Sequence, residues 1–240
     1  MGFIPALHAE WIKIRTLRSQ LASLGAVLAA TAVFSALAAL DTGGADFDPL
    51  FSAFFGVSFG QIAAIAFGTT AMAAEFQGGA LRVSLAAVPR RGRWFAAKAT
   101  AVAAPALAVG LVSGLVTLAV GRAALGDKAA GLSAGEQLRA VVGCGIYLML
   151  MALFATGLTA VLRSGVATLS ILVPFLLIVS FVIGDMSGGV ADFLPDRAGQ
   201  AVLHHSSGGL LGPWPGLAVT AAWVSAALGA GAWSLLRRDA

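Results

Sequence analysis

Two adjacent histidines, His204 and His205, are the residues of this chain with the clearest potential for chemistry. Imidazole nitrogens bind transition metals, but a metal site needs three or four ligands that converge on one point. Neighbouring residues on a helix point about 100° apart, and the nearest acidic residues are Asp192 and Asp196. The pair therefore does not predict a metal site, and we expect an outer loop or a helix end there.

Motifs for other kinds of site chemistry are absent from the sequence. It contains no Gly-x-x-x-x-Gly-Lys-Ser/Thr phosphate loop and no His-Glu-x-x-His zinc motif. The single cysteine, Cys144, cannot form a disulfide framework or a cysteine-based metal site. We expect it to be a small apolar packing residue. The chain is thus predicted not to be an enzyme, with no catalytic residues and no metal or cofactor of its own.

The composition indicates a membrane protein. Of the 240 residues, 59% are hydrophobic and 11% are charged, and the mean hydropathy is +0.91, whereas soluble domains carry about 25% charged residues. Six apolar runs are each near or above the roughly 18–20 residues that span a bilayer. The predicted helices are 20–40, 50–74, 99–121, 138–162, 166–184 and 216–236. The predicted fold class is an all-α integral membrane protein with one six-helix domain, residues 20–240, in which Pro105 and Pro174 kink two spans.

The basic residues orient these spans. With the N-terminus in the cytoplasm, 11 of the 15 Lys and Arg residues lie in cytoplasmic segments, as the positive-inside rule requires. Those segments are 1–19, 75–98, 163–165 and 237–240. The predicted location is the cytoplasmic (inner or plasma) membrane, with both termini cytoplasmic and an outer loop at 185–215. This topology also explains the isoelectric point of about 10.0 without a nucleic acid partner.

No carboxylate lies within the predicted spans. Transporters driven by protons or sodium usually need ionisable groups near the middle of the membrane. If this protein moves a substrate, we expect the driving force to come from another polypeptide. The stretch Glu75–Lys98 is the internal cytoplasmic loop large enough to receive it.

The pattern within Glu75–Lys98 predicts a short amphipathic helix. Leu81, Leu85 and Val88 recur at i, i+4 and i+7, which places them on one apolar face, with Arg82 off that face. Gly78-Gly79 predicts a break before this helix.

The helix is predicted to end at Pro89, because proline disfavours helix in the residue before it. A basic turn, Arg90-Arg91-Gly92-Arg93, is expected to follow. From the residues alone, a loop that lies on anionic lipid, held by its arginines, is the favoured interpretation, so membrane lipid is a predicted partner.

The order of residues in this loop resembles that of ABC transporter type-2 permeases, six-span subunits that pair with a separate ATP-binding subunit. The family's loop typically has an acidic residue, Gly-Thr, a leucine-rich short helix, a proline, arginines and a lysine that enters the third span. The matching residues are Glu75-Phe76-Gln77-Gly78-Gly79-Ala80-Leu81, Leu85, Val88-Pro89-Arg90-Arg91-Gly92-Arg93 and Lys98, with Ala80 where threonine is usual. Ala9–Ser19 and Leu194–Gln200 are also similar to segments of actinobacterial permeases.

The resemblance implies that the loop is a coupling helix that docks on the ATP-binding subunit. The residues it implies for this coupling are Glu75, Gly79, Leu81, Arg82, Leu85, Val88, Pro89, Arg90, Arg91 and Arg93. It also implies that residues 1–19 form an interfacial elbow helix, with an apolar stripe of Leu7, Trp11 and Ile14. The implied partners are two ATP-binding subunits, which would hold ATP and Mg, and a second permease in a homodimer or heterodimer.

The function that follows is that of an exporter permease for a hydrophobic or amphipathic substrate such as a drug, antibiotic, peptide or lipid, as in multidrug efflux and antibiotic resistance. Phe54, Ser58 and Gln61 are the candidate lining of a substrate path at the dimer interface. The alternative function is a non-transporting membrane scaffold or regulatory anchor. A lipid-modifying enzyme would need a polar constellation that the sequence does not contain.

Overall fold

The computed structural model describes residues 2–38, 48–125, 132–179, 189–205 and 210–237. Within these ranges the secondary structure is entirely helical, which confirms the all-α prediction for this part of the chain. The α-helices are α1 Phe3–Thr16, α2 Arg18–Ala38, α3 Pro49–Phe54, α4 Val57–Ala73, α5 Ala80–Ala87, α6 Arg91–Leu125, α7 Ala134–Leu162, α8 Gly165–Pro174, α9 Pro195–Gln200 and α10 Pro213–Arg237. The short 3-10 helices are Ala74–Phe76, Ala191–Phe193 and Ala201–Leu203, and a π-helix follows α8 at Phe175–Val179.

Five helical stretches in the described part of the chain are long and apolar enough to cross a membrane. They are Arg18–Ala38, Pro49–Phe76, Arg91–Ala124, Ala134–Leu162 and Pro213–Arg237. The predicted span 166–184 corresponds to a shorter apolar helix, Gly165–Ile178, and residues 180–184 lie outside the described ranges. Residues 39–40 of the first predicted span, and 185–188 and 206–209 of the predicted outer loop, also lie outside them. The fold is that of a multi-pass membrane protein.

The second predicted span is interrupted by a turn at Phe55 and Gly56 between α3 and α4. A Cβ on Gly56 would lie 2.0 Å from the backbone oxygen of Thr31 on α2. The Gly56 N–H donates to Ser35 Oγ at 2.9 Å. This side-chain acceptor compensates for a backbone group that the broken helix cannot pair within the membrane.

The basic turn expected at residues 90–93 was predicted wrongly. Residues 91–93 are the first turn of α6, and the non-helical link is confined to Val88, Pro89 and Arg90. The physical reason is that a proline restricts the residue before it and leaves the residues after it free to start a helix. Pro174, in contrast, lies where the α-helix gives way to the π-helix at Phe175–Val179, as expected where a backbone N–H is missing.

Helix α7 is the centre of the bundle, because 72% of an 18-residue apolar stretch within it is buried inside the protein. Close approaches of the backbone surround it. A Cβ on Gly68 of α4 would lie 2.0 Å from the Ala152 oxygen of α7, and one on Gly157 would lie 2.6 Å from the Ala227 carbonyl carbon of α10. Helices in lipid associate through such packing, because lipid tails offer no hydrophobic driving force.

The elements meet at two ends of the bundle. At one end, Lys98 of α6 contacts Glu10 of α1, with 2.7 Å between Nζ and Oε2. We call this the inner end, because the sequence predicts that it is cytoplasmic. At the other, outer end, Arg139 of α7 donates from Nη2 to the carbonyl oxygen of His204 at 2.6 Å.

The substitution Gly68→Ala tests the central packing. We expect it to lower the free energy of unfolding by about 1–3 kcal/mol, because the added methyl group meets the Ala152 backbone rather than a flexible side chain. Gly25→Ala on α2 is the matched control, since a Cβ there has no neighbour within 4 Å and the better helix former should raise stability by up to about 1 kcal/mol. Thermal unfolding in detergent distinguishes them, and equal midpoints would contradict this packing.

Candidate functional site at the inner end

The loop between α4 and α6 is folded as the sequence predicts around its short helix. Gly78 and Gly79 both have positive φ angles, 58° and 76°, a conformation that costs glycine little. Helix α5 then runs from Ala80 to Ala87, and Val88 leaves the helix before Pro89. The break and the helix predicted in this loop are therefore confirmed.

Helix α5 turns its apolar face into the protein. Leu81 and Val88 are buried and Leu85 is half-buried. They belong to an apolar cluster at the inner end that also contains Trp94 and Leu235. The i, i+4, i+7 stripe thus anchors α5 to the bundle.

The opposite face of α5 is exposed. Val83 is 73% exposed. Its exposed neighbours on the loop are Arg82, Ala86, Ala87, Pro89 and Arg90. This surface, which we call the outward face of α5, consists of small apolar side chains with arginines at its borders.

Four charged side chains form a closed ring beneath the loop. Lys13 Nζ lies 2.8 Å from both Glu10 Oε1 and Glu75 Oε1. Lys98 Nζ lies 2.7 Å from Glu10 Oε2 and 2.8 Å from Glu75 Oε1. We call Glu10, Lys13, Glu75 and Lys98 the charge ring.

Three of the four side chains in the charge ring are buried. The side chains of Glu10, Glu75 and Lys98 are each 3% exposed, while that of Lys13 is 37% exposed. Charges removed from water are tolerated when they are paired and hydrogen-bonded. Each carboxylate here contacts both ammonium groups, and the ring has no net charge.

Ser84 connects α5 to the charge ring. Its hydroxyl donates to Glu75 Oε2 at 3.0 Å and accepts from Lys13 Nζ at 3.2 Å. The ring therefore joins four elements: α1, the 3-10 helix that follows α4, α5 and the start of α6. A displacement of the loop must move the N-terminal helix with it or break these contacts.

The protonation of Lys13 favours an intact ring. Burial acts to lower the pKa of Lys13, but hydrogen bonds from its ammonium group to Glu10 and Glu75, and the charges of these carboxylates, outweigh that effect. The net result is a pKa raised above the ordinary value of lysine, so Lys13 keeps its positive charge at neutral pH.

The predicted elbow helix corresponds to α1, whose buried residues are Ala6, Glu10 and Ile14. Leu7 and Trp11 of the predicted stripe are half-buried. They border an open apolar groove of about 350 Å³ between α1 and α6. The other lining residues of this groove are Ile4, His8, Thr100, Ala101 and Ala104.

The arginines that follow α5 have different environments. Arg90 is exposed, whereas Arg91 donates from Nη1 to the Leu235 carbonyl oxygen at 2.7 Å. This contact places a cation at the C-terminal end of α10, where the helix dipole favours it. Arg93 is half-buried.

The residues predicted to line a substrate path lie together near the outer end, in contacts within this chain. Phe54 and Gln61 are buried and Ser58 is half-buried. Ser58 Oγ donates to Gln200 Oε1 at 2.9 Å, and the Tyr147 hydroxyl hydrogen-bonds Gln61 Oε1. Their polar atoms thus fasten α9 to α4 and α7.

Sequence reasoning assigned no role to Glu10, Lys13 or Ser84, and it noted Lys98 only as the lysine that enters the third span. One signal was available, because the inner segments contain only three acidic residues, Glu10, Glu75 and Asp239. Two of these three are in the charge ring. Their partners could not be identified, since Lys98 and Glu10 are 88 positions apart.

Among the described residues, no group of three or more His, Cys, Asp or Glu side chains is placed to hold a metal ion. Each of the two histidine rings instead contacts one carboxylate: His204 contacts Asp48, and His205 contacts Glu136.

Comparison with protein-family models finds none that matches this chain, and comparison with curated proteins finds no significant match.

Removing one member of the charge ring should destabilise the inner end strongly. We expect Lys98→Met to lower the free energy of unfolding by about 3–5 kcal/mol, because two buried carboxylates would then share one ammonium group. Arg18→Met is the control, since Arg18 is exposed and its loss should cost less than about 0.5 kcal/mol.

A double variant separates pairing from packing. Adding Glu75→Gln to Lys98→Met removes one negative charge as well, so part of the stability should return. Thermal unfolding in detergent of wild type, the two single variants Lys98→Met and Glu75→Gln, and the double variant supplies the double-mutant cycle. Additive losses at Glu75 and Lys98 would contradict the ring.

Proposed function

We propose that this chain is the permease subunit of an ATP-driven exporter of the ABC type, in which the outward face of α5 docks on a separate ATP-binding subunit. The observation that carries the proposal is the division of α5 into two faces. One face is fixed in the bundle by the apolar cluster and by the charge ring. The other presents Val83 and its small apolar neighbours away from the protein.

The outward face has the composition of a docking surface. Exposed apolar side chains bordered by polar ones are typical of protein contact sites. Its arginines suit a partner groove with acidic residues, which would also guide the approach of the two proteins. A loop designed only to lie on lipid would turn Leu81 and Val88 outwards, whereas both are buried in the bundle.

The charge ring supplies a path for mechanical coupling. A push on α5 reaches Glu75 through Ser84 and then reaches α1 and α6 through Lys13 and Lys98. Rigid elements that move together in this way are a common means of switching between two states. In the proposed transporter, ATP-driven closure of two ATP-binding subunits tilts two permease chains between inward-open and outward-open states.

Contacts at the two ends of the bundle support a sixth crossing. The guanidinium carbon of Arg163 lies 5.9 Å from the centre of the Phe76 ring, at the inner end. Gln200 contacts Ser58, and His204 contacts Arg139, at the outer end. Arg139 and Arg163 are separated by roughly 35 Å along α7. In the proposed topology, the chain between Arg163 and Gln200 therefore returns across the membrane, with α8 as the first part of that crossing.

The proposed substrate is hydrophobic or amphipathic. The exposed side chains of the spanning helices are predominantly apolar, and the polar atoms of Gln61 and Ser58 are engaged within the chain. A path at the interface with a second permease, identical or not, would therefore be apolar. ATP and Mg would be bound by the partner, and no nucleic acid is part of this function.

Co-purification from native membranes tests the proposal. We expect wild type to bring down an ATP-binding subunit, and Arg90→Glu or Val83→Asp to reduce its recovery by about tenfold or more. Both substitutions lie on the outward face and leave the charge ring and the apolar cluster intact. Membrane insertion of each variant is checked first.

Arg15→Glu is the matched control, because Arg15 is an exposed arginine on α1 and its reversal makes the same change in charge. Its recovery of the partner should equal that of wild type. If wild type recovers no ATP-binding subunit, the transporter proposal fails and a membrane scaffold becomes the better interpretation. If Arg15→Glu reduces recovery of the ATP-binding subunit as much as Arg90→Glu does, α5 is not the docking element.

A further inference from the structure

The two histidines fasten the outer segment 189–205 to the bundle. His204 Nδ1 lies 3.2 Å from Asp48 Oδ2, and the His205 backbone N–H donates to the same oxygen at 2.9 Å. His205 Nδ1 lies 2.8 Å from Glu136 Oε1. The two histidines thus attach the outer segment to two carboxylates, one that caps α3 and one on α7.

Two further contacts hold His204 in place. Its ring stacks on that of Phe51, with 4.1 Å between the ring centres and 10° between the planes. Its carbonyl oxygen accepts from Arg139 Nη2 at 2.6 Å. A protonated imidazole in this position would also be attracted by the face of the Phe51 ring.

The carboxylates that receive the histidines are fixed by their own helices. Asp48 Oδ1 accepts from the backbone N–H groups of Leu50 and Phe51 at 3.0 Å, which caps α3. Glu136 Oε2 accepts from the Ser133 N–H at 2.9 Å in a capping box at the start of α7. The acceptors are therefore in position whether or not the histidines are protonated.

Negative charge predominates around the two histidines. Within the described part of the chain, the ionisable groups that face the histidines are Asp48, before α3, and Glu136 and Arg139, on α7. With both imidazoles neutral, these three groups have a net charge of −1. One proton makes the cluster neutral, and a second adds another attraction between a histidine and its carboxylate.

We propose that His204 and His205 form a proton-binding latch that holds the outer segment 189–205 on α3 and α7 more tightly in acid than in base. This property does not depend on the proposed ATP-binding partner. It gives the outer side of the protein a response to external pH.

The direction of this pH effect follows from the thermodynamic linkage between proton binding and attachment of the outer segment. Protonation of either histidine adds an ion pair with its carboxylate while the outer segment is held on α3 and α7, so lowering the pH favours this attached state. Burial acts to raise the pKa of Asp48, but its hydrogen bonds with His204, Phe51 and His205 outweigh this and lower it. Asp48 therefore remains ionised through the range, near pH 6.5, in which imidazoles of model peptides titrate.

Hydrogen exchange of the purified protein in nanodiscs tests the latch. We expect the protection factors of amides in residues 198–204, corrected for intrinsic rates, to be about two- to tenfold higher at about pH 5.5 than at about pH 8. The double variant His204→Gln/His205→Gln should lose this difference. Amides of α7 should show equal protection at the two pH values in both proteins, which verifies that the variant is folded.

Two further variants isolate the cause. His8→Gln removes the remaining histidine of the chain, on α1 at the inner end, and should retain the full difference. Glu136→Gln keeps a capping-box residue but removes the partner of His205, and should reduce the difference. A wild type without pH dependence at residues 198–204, or a double variant that keeps it, would overturn the proposal, and the wild-type result needs no variant to fold.

Discussion

The inner end of this protein depends on the mutual neutralisation of two carboxylates and two ammonium groups, three of which are almost fully buried. Glu10, Glu75 and Lys98 are each 3% exposed at the side chain. A buried charge without a partner costs several kcal/mol, so none of the four can leave the ring without a large penalty. The ring therefore determines the positions of α1, α5 and the start of α6 together. The apolar cluster around Leu81 and Trp94 adds affinity between these elements but little directional constraint.

The outer end is held by a different kind of interaction. There, amides and hydroxyls of α4, α7 and α9 hydrogen-bond one another, as Gln61, Tyr147 and Gln200 do, and the two histidines contact separate carboxylates. Each contact joins one pair of elements, so the outer segment can loosen in steps. The inner ring, in contrast, is closed, and the loss of one member affects all of its neighbours. Between the two ends, α7 is packed against its neighbours at glycines.

How far the sequence predicts this structure depends on the range over which each interaction acts. The apolar runs located α7 and α10 to within a few residues, because a membrane-spanning helix is a local consequence of composition. The inward face of α5 followed from the spacing of Leu81, Leu85 and Val88. The charge ring did not, because it joins residues from three separate segments of the chain. The engagement of Ser58 and Gln61 by Tyr147 and Gln200 was missed for the same reason.

The amphipathic pattern of α5 was interpreted through its apolar residues, although these are the ones least able to contact a partner. A helix of eight residues has two faces, and Leu81 cannot be both buried in the bundle and inserted in a groove of another protein. If α5 docks as proposed, recognition must depend on Val83, Ala86 and Arg90, which the hydrophobic spacing excludes. The buried apolar stripe keeps α5 attached to the bundle. The specificity of α5 for a partner must then reside in the residues between the stripe positions.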